Sequence, residues 1–232
     1  MIYIIIPTYN RPEQLKKTIE QLSVQTFQRF KVLIVNSGET DYTFIHNGKV
    51  GTIHTEVYFT SQVNTGIDFV KQFISPHDIV CVMNDDNTFD KNFLLRSVCK
   101  LTNGSLVCST DENEGIIKID WKRFKFTKDK SGKTCSTRAI FLFKRDLTQK
   151  LCKWLPMYLS DYDWVMRLNL NLIEGEPIST LKQDRKFPTF SVKNPSNPIF
   201  FTIFILRNCP KLWIIPNIIR VWIYSLIRLF YS

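Results

Sequence analysis

Several features that define common protein classes are scarce or missing in this sequence. Only 8 glycines and 10 prolines occur in 232 residues, which excludes collagen-like and low-complexity chains. The 6 cysteines include no CxxC pair, so a zinc ribbon or a CxxC redox motif is not expected. The 3 histidines are isolated from one another, and no GxGxxG or GxSxG motif occurs. These absences exclude the simplest zinc, dinucleotide-binding and serine-hydrolase sites.

Acidic residues are missing from the last part of the sequence. No Asp or Glu follows Asp184, whereas basic residues continue to the end and contribute most of the net charge of +10. The same stretch is rich in Ile, Phe, Leu and Trp, but no uncharged run reaches the roughly 20 residues that a membrane-spanning helix needs. A basic segment with many aromatic residues is typical of a membrane-surface element rather than a nucleic-acid-binding arm. We therefore expect a membrane surface, and no nucleic acid, among the partners.

The cysteines and the first residues indicate a cytosolic setting. Most cysteines, such as Cys81 and Cys108, lie in apolar runs, which predicts buried, reduced thiols. The apolar residues 2–6 have no preceding basic segment and are too few for a signal peptide.

Hydrophobic periodicity predicts an alternation of strands and helices in the first half. Continuous apolar runs predict buried strands over residues 2–6, 30–35 and 78–83. Helical spacing predicts a helix beginning at Pro12 and a second one over residues 65–74. A short strand is expected at residues 57–59. This order predicts an α/β fold with a mainly parallel, Rossmann-like sheet flanked by helices.

The second half continues this alternation less regularly. Strands are predicted at residues 105–109 and 139–143, and the segment between them is expected to form a loop or hairpin over the site. Helices are predicted at residues 93–101 and 161–173. From residue 197 onward, two apolar, basic helical segments form a C-terminal amphipathic extension, which is split at residues 209–210 and interrupted at Pro216.

Polar residues follow the predicted strands at the edge where parallel sheets bind ligands. Asp85 and Asp86 come directly after the strand that ends at Met83. Adjacent carboxylates repel each other unless a cation lies between them, and their oxygens suit Mg²⁺ or Mn²⁺ holding a diphosphate. The alternative from the residues alone is a solvated turn after a strand.

A second acidic segment surrounds Asp161 and Asp163. One interpretation is helix capping by Ser160 or Asp161, with Asp163 as a favourable acid in the first turn. The functional interpretation makes one of these carboxylates a general base within reach of an acceptor hydroxyl.

Together these segments resemble the family 2 inverting glycosyltransferases of the GT-A fold, of the bacterial surface-glycan type. The resemblance rests on six stretches that occur in the family's order along most of the chain. These are Ile4-Ile-Ile-Pro7-Thr8-Tyr9-Asn10-Arg11-Pro12 followed by Leu15 and Gln25-Thr26-Phe27, Asn36-Ser37-Gly38-Glu39-Thr40-Asp41, Asn64-Thr65-Gly66, Asn84-Asp85-Asp86, Ser160-Asp161-Tyr162-Asp163-Trp164 with Arg167, and Arg207-Asn208 after Phe200-Phe201. Asn36, Ser37, Asn84 and Ser160 stand where relatives carry acidic residues.

The resemblance implies a role for each of these positions. Asp161 corresponds to the catalytic base and Asp86 to the main protein ligand of a Mn²⁺ or Mg²⁺ ion. Asp163, Trp164 and Arg167 are implied acceptor or donor contacts. The implied nucleotide-sugar contacts are Pro7, Thr8, Tyr9, Asn10, Arg11, Asn36, Ser37, Asn64, Asn84 and Asp85. The membrane contacts expected in the tail are Trp213, Arg220, Trp222 and Arg228.

The implied function is transfer of a sugar from a nucleoside diphosphate-sugar, with a UDP-sugar favoured, to a glycan or lipid-linked acceptor at the inner face of the cell membrane. The predicted catalytic domain covers residues 1–193, divided into a nucleotide-sugar and metal half (1–103) and an acceptor half (104–193), and the tail covers 194–232. Alternatives are a catalytically decayed transferase and a non-enzymatic peripheral membrane protein. A sugar nucleotidyltransferase is a lesser alternative, because the glycine-rich loop it needs after the first strand is absent.

Overall fold

The computed structural model describes residues 1–40, 42, 50–55, 58–111, 115–135, 138–155, 157–180 and 197–231. The strands, in chain order, are β1 (Ile2–Thr8), β2 (Phe30–Asn36), β3 (Val50–His54), β4 (Ile79–Met83), β5 (Asn87–Thr88), β6 (Ser105–Ser109), β7 (Ile116–Asp120), β8 (Lys125–Lys128), β9 (Thr134–Cys135), β10 (Ala139–Phe143), β11 (Asn171–Glu174) and β12 (Ser179–Thr180). The helices are α1 (Pro12–Ser23), α2 (Phe59–Lys71), α3 (Phe93–Lys100), α4 (Met157–Leu168), α5 (Asn197–Asn208) and α6 (Ile214–Tyr231).

Seven strands form a central sheet in the order β11-β6-β10-β4-β1-β2-β3. Neighbouring strands are parallel except at β10, which runs antiparallel to both β4 and β6. The carboxyl ends of β1, β2, β4 and β6 consequently meet at one edge, together with the start of β10. This is the mainly parallel α/β sheet that the sequence predicts.

Helices cover both faces of the sheet because successive strand residues point to opposite sides. Ile4 and Ile6 of β1 pack with residues of α1 and α3, whereas Ile5 packs with residues of α2 and α4. A Cβ atom at Gly66 of α2 would lie 2.5 Å from Ile5 Cγ2, so this glycine permits the close approach of the helix to the sheet.

Two predicted elements differ from the structure. The expected strand at residues 57–59 is wrong for its described part, because Phe59 begins α2 and the third parallel strand is β3. The helix predicted over 161–173 occupies 157–168 instead. Asn169, with φ of 52°, ends that helix, and β11 then joins the sheet edge beside β6.

The segment between β6 and β10 forms a small antiparallel sheet in the order β8-β7-β9, so the expected hairpin is present as β7–β8. Cys135 of β9 forms a disulfide bond with Cys108 of β6, so the expectation of reduced thiols is wrong for this pair.

The C-terminal helices follow the predicted split at residues 209–210. Pro216 does not interrupt α6, because it lies in the first turn, where its missing N–H leaves no helical hydrogen bond unmade. No helix among the described residues is long and apolar enough to cross a membrane. The boundary predicted at 193–194 lies outside the described residues.

Candidate active site

Two buried carboxylates lie at the carboxyl edge of the sheet, directly after β4. Asp85 and Asp86 are 5% and 4% exposed. Thr8 Oγ1 donates a hydrogen bond to Asp85 Oδ2 at 2.7 Å, and Arg11 Nη1 donates to Asp85 Oδ1 at 3.2 Å. The same Arg11 nitrogen lies 3.5 Å from Asp86 Oδ2. The structure thus brings together the first motif of the chain and the acidic pair some 75 residues later.

Burial at this pair disfavours the ionised form of Asp85 by more than Arg11 and Thr8 favour it. Burial, and secondarily the charge of Asp86, raise the pKa of Asp85 to about 6, although Arg11 and the Thr8 hydroxyl oppose that rise. A divalent cation would stabilise both carboxylates in the ionised form, and hard oxygen ligands suit Mg²⁺ or Mn²⁺. The described residues contain no group of three His, Cys, Asp or Glu side chains able to hold a metal. A cation at this pair would therefore need oxygens from a bound ligand.

The acidic segment is fixed from two sides. The Thr18 hydroxyl of α1 donates to the Asp85 carbonyl at 2.8 Å. The carbonyl of Arg138 accepts hydrogen bonds from the Asn84 N–H at 3.0 Å and from Asn87 Nδ2 at 2.8 Å. The carboxylates are therefore held in place before any ligand arrives, which lowers the ordering cost of binding.

Two asparagines shape the loop after β2. Asn36 is fully buried, and its amide group bonds the N–H of Gly38 and the carbonyls of Gly38 and Thr40. Asn10, with φ of 50°, accepts hydrogen bonds from the Glu39 N–H and the Thr40 hydroxyl. Both side chains therefore brace the loop that presents Ser37.

The other residues expected to contact the donor occupy different settings. Pro7 is buried in β1, whereas Tyr9 and Ser37 are half-buried at the sheet edge. Asn64 makes both of its amide hydrogen bonds with the backbone of Leu151, at 2.9 and 3.0 Å. That amide joins α2 to the segment before α4.

The second acidic segment lies within α4 rather than at its start. Because α4 begins at Met157, neither Ser160 nor Asp161 caps it, which corrects the capping interpretation. Asp161 is 6% exposed. Its neighbour Tyr162 accepts a hydrogen bond at its carbonyl from Thr134 of β9, which ties this turn of α4 to the small sheet.

Asp163, Trp164 and Arg167 have partners inside the protein. Arg167 Nε and Arg207 Nε donate to the two oxygens of Asp163 at 2.8 Å each, and Asn208 Nδ2 donates at 2.9 Å. Trp164 is buried and donates to the Gln149 carbonyl. These contacts join α4 to α5 and to the segment before α4.

Two residues at this edge escaped the sequence analysis. Gln62 of α2 donates to the carbonyls of Thr8 and Val35 at 2.6 and 2.9 Å, which ties the ends of β1 and β2 together. Arg138 is half-buried beside the acidic segment, and its Nε atom is buried without a hydrogen-bond partner among the described residues. No spacing rule pointed to either residue, although an arginine directly before a strand that borders the acidic turn could have been noted.

The tail residues expected at a membrane are only partly exposed. Trp213 is half-buried, and Trp222 is 43% exposed while its indole N–H contacts the Thr202 hydroxyl at 3.2 Å. Arg220 bonds the Lys122 carbonyl. Arg228 lies in α6, but its side chain is outside the described residues.

Several solved structures share this architecture. The crystal structure of S. aureus TarS 1-349 matches with a TM-score of 0.60 at 14% identity, covering 89% of this chain and 64% of that one. The structure of TarS 1-349 in complex with UDP-GlcNAc matches with a TM-score of 0.57 at 14% identity, covering 90% of this chain and 68% of that one. The mannosyltransferase PcManGT from Pyrobaculum calidifontis, in complex with GDP-Man and Mn²⁺, matches with a TM-score of 0.54 at 13% identity, covering 89% and 62%. The chain thus spans slightly under two thirds of PcManGT and of the first TarS 1-349 structure. At these identities the likeness shows the GT-A fold.

The sequence comparisons identify the family. No curated protein matches the sequence. The model of Glycosyl transferase family 2 matches residues 3–167, a range that contains the acidic pair, Asp161 and the motif after β1. The chain belongs to glycosyl transferase family 2.

Proposed function

We propose that this protein is an inverting glycosyltransferase that moves a sugar from a nucleoside diphosphate-sugar to an acceptor hydroxyl. The observation that carries this proposal is the buried Asp85–Asp86 pair, braced by Thr8 and Arg11 at the carboxyl edge of a family 2 sheet. A site with excess buried negative charge and a nearby arginine suits a cation together with a diphosphate.

The donor is a nucleotide sugar bound across the ends of β1, β2 and β4. Similar structures contain UDP-GlcNAc and GDP-Man, which supports this donor class. Thr8, Tyr9, Arg11 and Ser37 lie at the ends of the first two strands. The side chains of Asn10 and Asn36 set the shape of the loop after β2, which would lie next to the nucleobase. A UDP-sugar is the first donor to test.

The carboxylates would hold a Mn²⁺ or Mg²⁺ ion, with Asp86 as the main protein ligand and Asp85 beside it. The bound cation supplies charge neutralisation for the leaving diphosphate. Arg11 bridges both carboxylates, so it fixes their orientation while leaving the pair net negative. Arg138, whose carbonyl accepts the Asn84 N–H, is a further basic residue next to this segment.

Asp161 is the proposed general base. In the ionised form it takes the proton of the acceptor hydroxyl, whose oxygen attacks the anomeric carbon as the bond to the diphosphate breaks. Attack from the face opposite the leaving group inverts the anomeric configuration. The tie between Thr134 and the Tyr162 carbonyl holds this turn of α4 in position.

The acceptor is a glycan or a lipid-linked glycan made at the inner face of the cell membrane. The alternative is a catalytically decayed transferase. One observation favours it: neutral residues stand at positions where relatives carry acids, namely Asn36, Ser37, Asn84 and Ser160. The buried, ionisable pair Asp85–Asp86 argues against decay, because a binding protein without a cation gains nothing from that buried charge.

Donor binding and chemistry can be tested separately. A thermal-shift series with UDP, GDP, CDP and dTDP, each with and without Mn²⁺, should give a metal-dependent increase in melting temperature with one nucleotide. The increase should disappear in Asp86→Asn and persist in Asp161→Asn. The exposed residue Asp68 provides a matched control, Asp68→Asn, which should keep it.

Turnover should fall about 10²–10⁴-fold in Asp161→Asn, which is the usual contribution of a general base. Nucleotide binding with normal turnover in Asp161→Asn would remove Asp161 from this role. Absence of metal-dependent binding by every nucleotide would contradict the transferase proposal and favour the decayed enzyme.

A further inference from the structure

The last helix, α6, has two unlike faces. One face packs against α5 and against the turn between β7 and β8, through residues such as Ile218 and Val221. The opposite face is exposed and apolar. This exposed face consists of Ile215, Ile219, Trp222 and Ile223, and Leu212 lies just before the helix; these side chains are 43–78% exposed. Contiguous apolar surface of this kind on a protein marks a site of interaction.

A basic turn packs against α6 and lines one cavity together with Leu212 of the apolar face. Asn217 Nδ2 of α6 donates to the Trp121 carbonyl at 2.7 Å, and Arg220 Nη1 donates to the Lys122 carbonyl at 3.0 Å. These two bonds join α6 to a turn almost a hundred residues earlier in the chain. The turn carries Lys122 and Arg123, both of which are exposed.

A cavity of about 700 Å³ lies between the β7–β8 hairpin and residues 210–213. Its charged lining residues are Lys118, Asp120, Lys122, Arg123, Lys125 and Asp129. Lys118 pairs with Asp129 at 3.6 Å, and Arg123 lies 4.0 Å from Asp120. Lys122, Lys125 and the nearby Lys211 form no ion pair with any described carboxylate. The surface around the cavity is therefore net positive.

The apolar helix face together with the basic turn indicates which kind of partner binds this surface. A protein partner would need only the apolar face, whereas an anionic bilayer offers both an apolar interior and a layer of phosphates. The cavity stands at the boundary between the two, where a lipid phosphate can approach the lysines. A helix with one apolar and one polar face is the kind that binds in the plane of a bilayer interface.

We propose that α6 and the β7–β8 turn form one docking surface for an anionic lipid bilayer. The apolar face enters the headgroup boundary, and Lys122, Lys125 and Lys211 meet lipid phosphates. The proposal does not rest on sugar transfer, since lipid binding requires neither a nucleotide nor a metal.

Vesicle sedimentation of the full chain tests this surface. The protein should sediment with vesicles of phosphatidylcholine mixed with phosphatidylglycerol, and not with vesicles of phosphatidylcholine alone, and added salt should weaken the binding. The double variant Lys122→Gln/Lys125→Gln should lose about 25-fold in vesicle affinity, at about fivefold for each basic residue. The double variant Ile215→Asn/Ile219→Asn should lose at least about tenfold.

Matched controls lie at exposed positions of α1 and just after α2. Lys16→Gln/Lys17→Gln removes the same charge, and Phe73→Asn removes a side chain that is 67% exposed; both should bind vesicles as the unmodified protein does. All of these positions are exposed, so the melting temperature should change little in every variant.

Three results would overturn the proposal. One is equal binding to neutral and anionic vesicles, and another is equal loss in the control variants. The third is absence of vesicle binding together with dimerisation that Ile215→Asn/Ile219→Asn abolishes, which would assign the apolar face to a second copy of this chain.

Discussion

The change from Asp163 to Ala removes a carboxylate that joins helices α4 and α5. Asp163 is fully buried, and it accepts hydrogen bonds from Arg167, Arg207 and Asn208 at 2.8–2.9 Å. The hydrogen bond from Arg207 to Asp163 raises the pKa of the guanidinium. The predicted consequence is a less stable protein that still binds nucleotide, because these contacts hold the helices together.

The size of the stability loss depends on the two arginines that Asp163→Ala leaves without their carboxylate partner. Breaking a buried ion pair by removing one partner costs about 3–5 kcal/mol of unfolding free energy, because the other charge stays uncompensated. Here the side chains of Arg167 and Arg207 are 19% and 33% exposed, so both can recover contacts with water. We therefore expect the low end, about 3 kcal/mol. For a chain of this size that corresponds to a fall in melting temperature of roughly 6–12 °C.

Urea denaturation followed by circular dichroism measures this loss, with a nucleotide thermal shift on the same sample. Asp68→Ala is the matched control, since Asp68 pairs with Lys150 at 2.6 Å on the surface, where the pair contributes less than about 1 kcal/mol. A loss below about 1 kcal/mol in Asp163→Ala would refute the reasoning. Intact stability with lost nucleotide binding would instead make Asp163 a donor contact.

Three further changes test other parts of the structure. In metal-free protein with a chelator, ionisation of Asp85 costs stability, because its pKa in the folded protein, about 6, exceeds its ordinary value. The unfolding free energy should therefore fall by about 3 kcal/mol between about pH 4 and pH 6.5. In urea titrations, Asp85→Asn should lack this fall. Gly66→Ala places a Cβ atom 2.5 Å from Ile5 Cγ2, so calorimetry should show about 1–3 kcal/mol of destabilisation; unchanged stability would mean that α2 shifts freely. Arg138→Met should raise the KM for the donor with little change in melting temperature, and an unaltered KM would place its charge outside the donor site.

Much of the fold could be predicted because its signals are local. β1, β2 and β4 are apolar runs that need burial on both faces, and only the interior of a parallel sheet supplies it. β3, with Gly51 and His54, lacks such a run, so its pairing with β2 could not be deduced from its own residues. The same holds for β11, whose helical spacing continues that of α4 until Asn169 ends the helix.

For the site, too, one part could be predicted from the sequence and another part could not. The sequence by itself determined that polar and acidic residues follow the strands of a parallel sheet, and therefore that Thr8, Asp85 and Asp86 share one edge. Only the tertiary structure decided the partners: Arg11 at the acidic pair, Arg207 on Asp163, and Lys122 beside α6. The physical reason is the distance along the chain over which each kind of interaction acts. Periodicity reflects what each residue needs from its chain neighbours, whereas an ion pair or a docking surface depends on how distant elements pack, which no local pattern encodes.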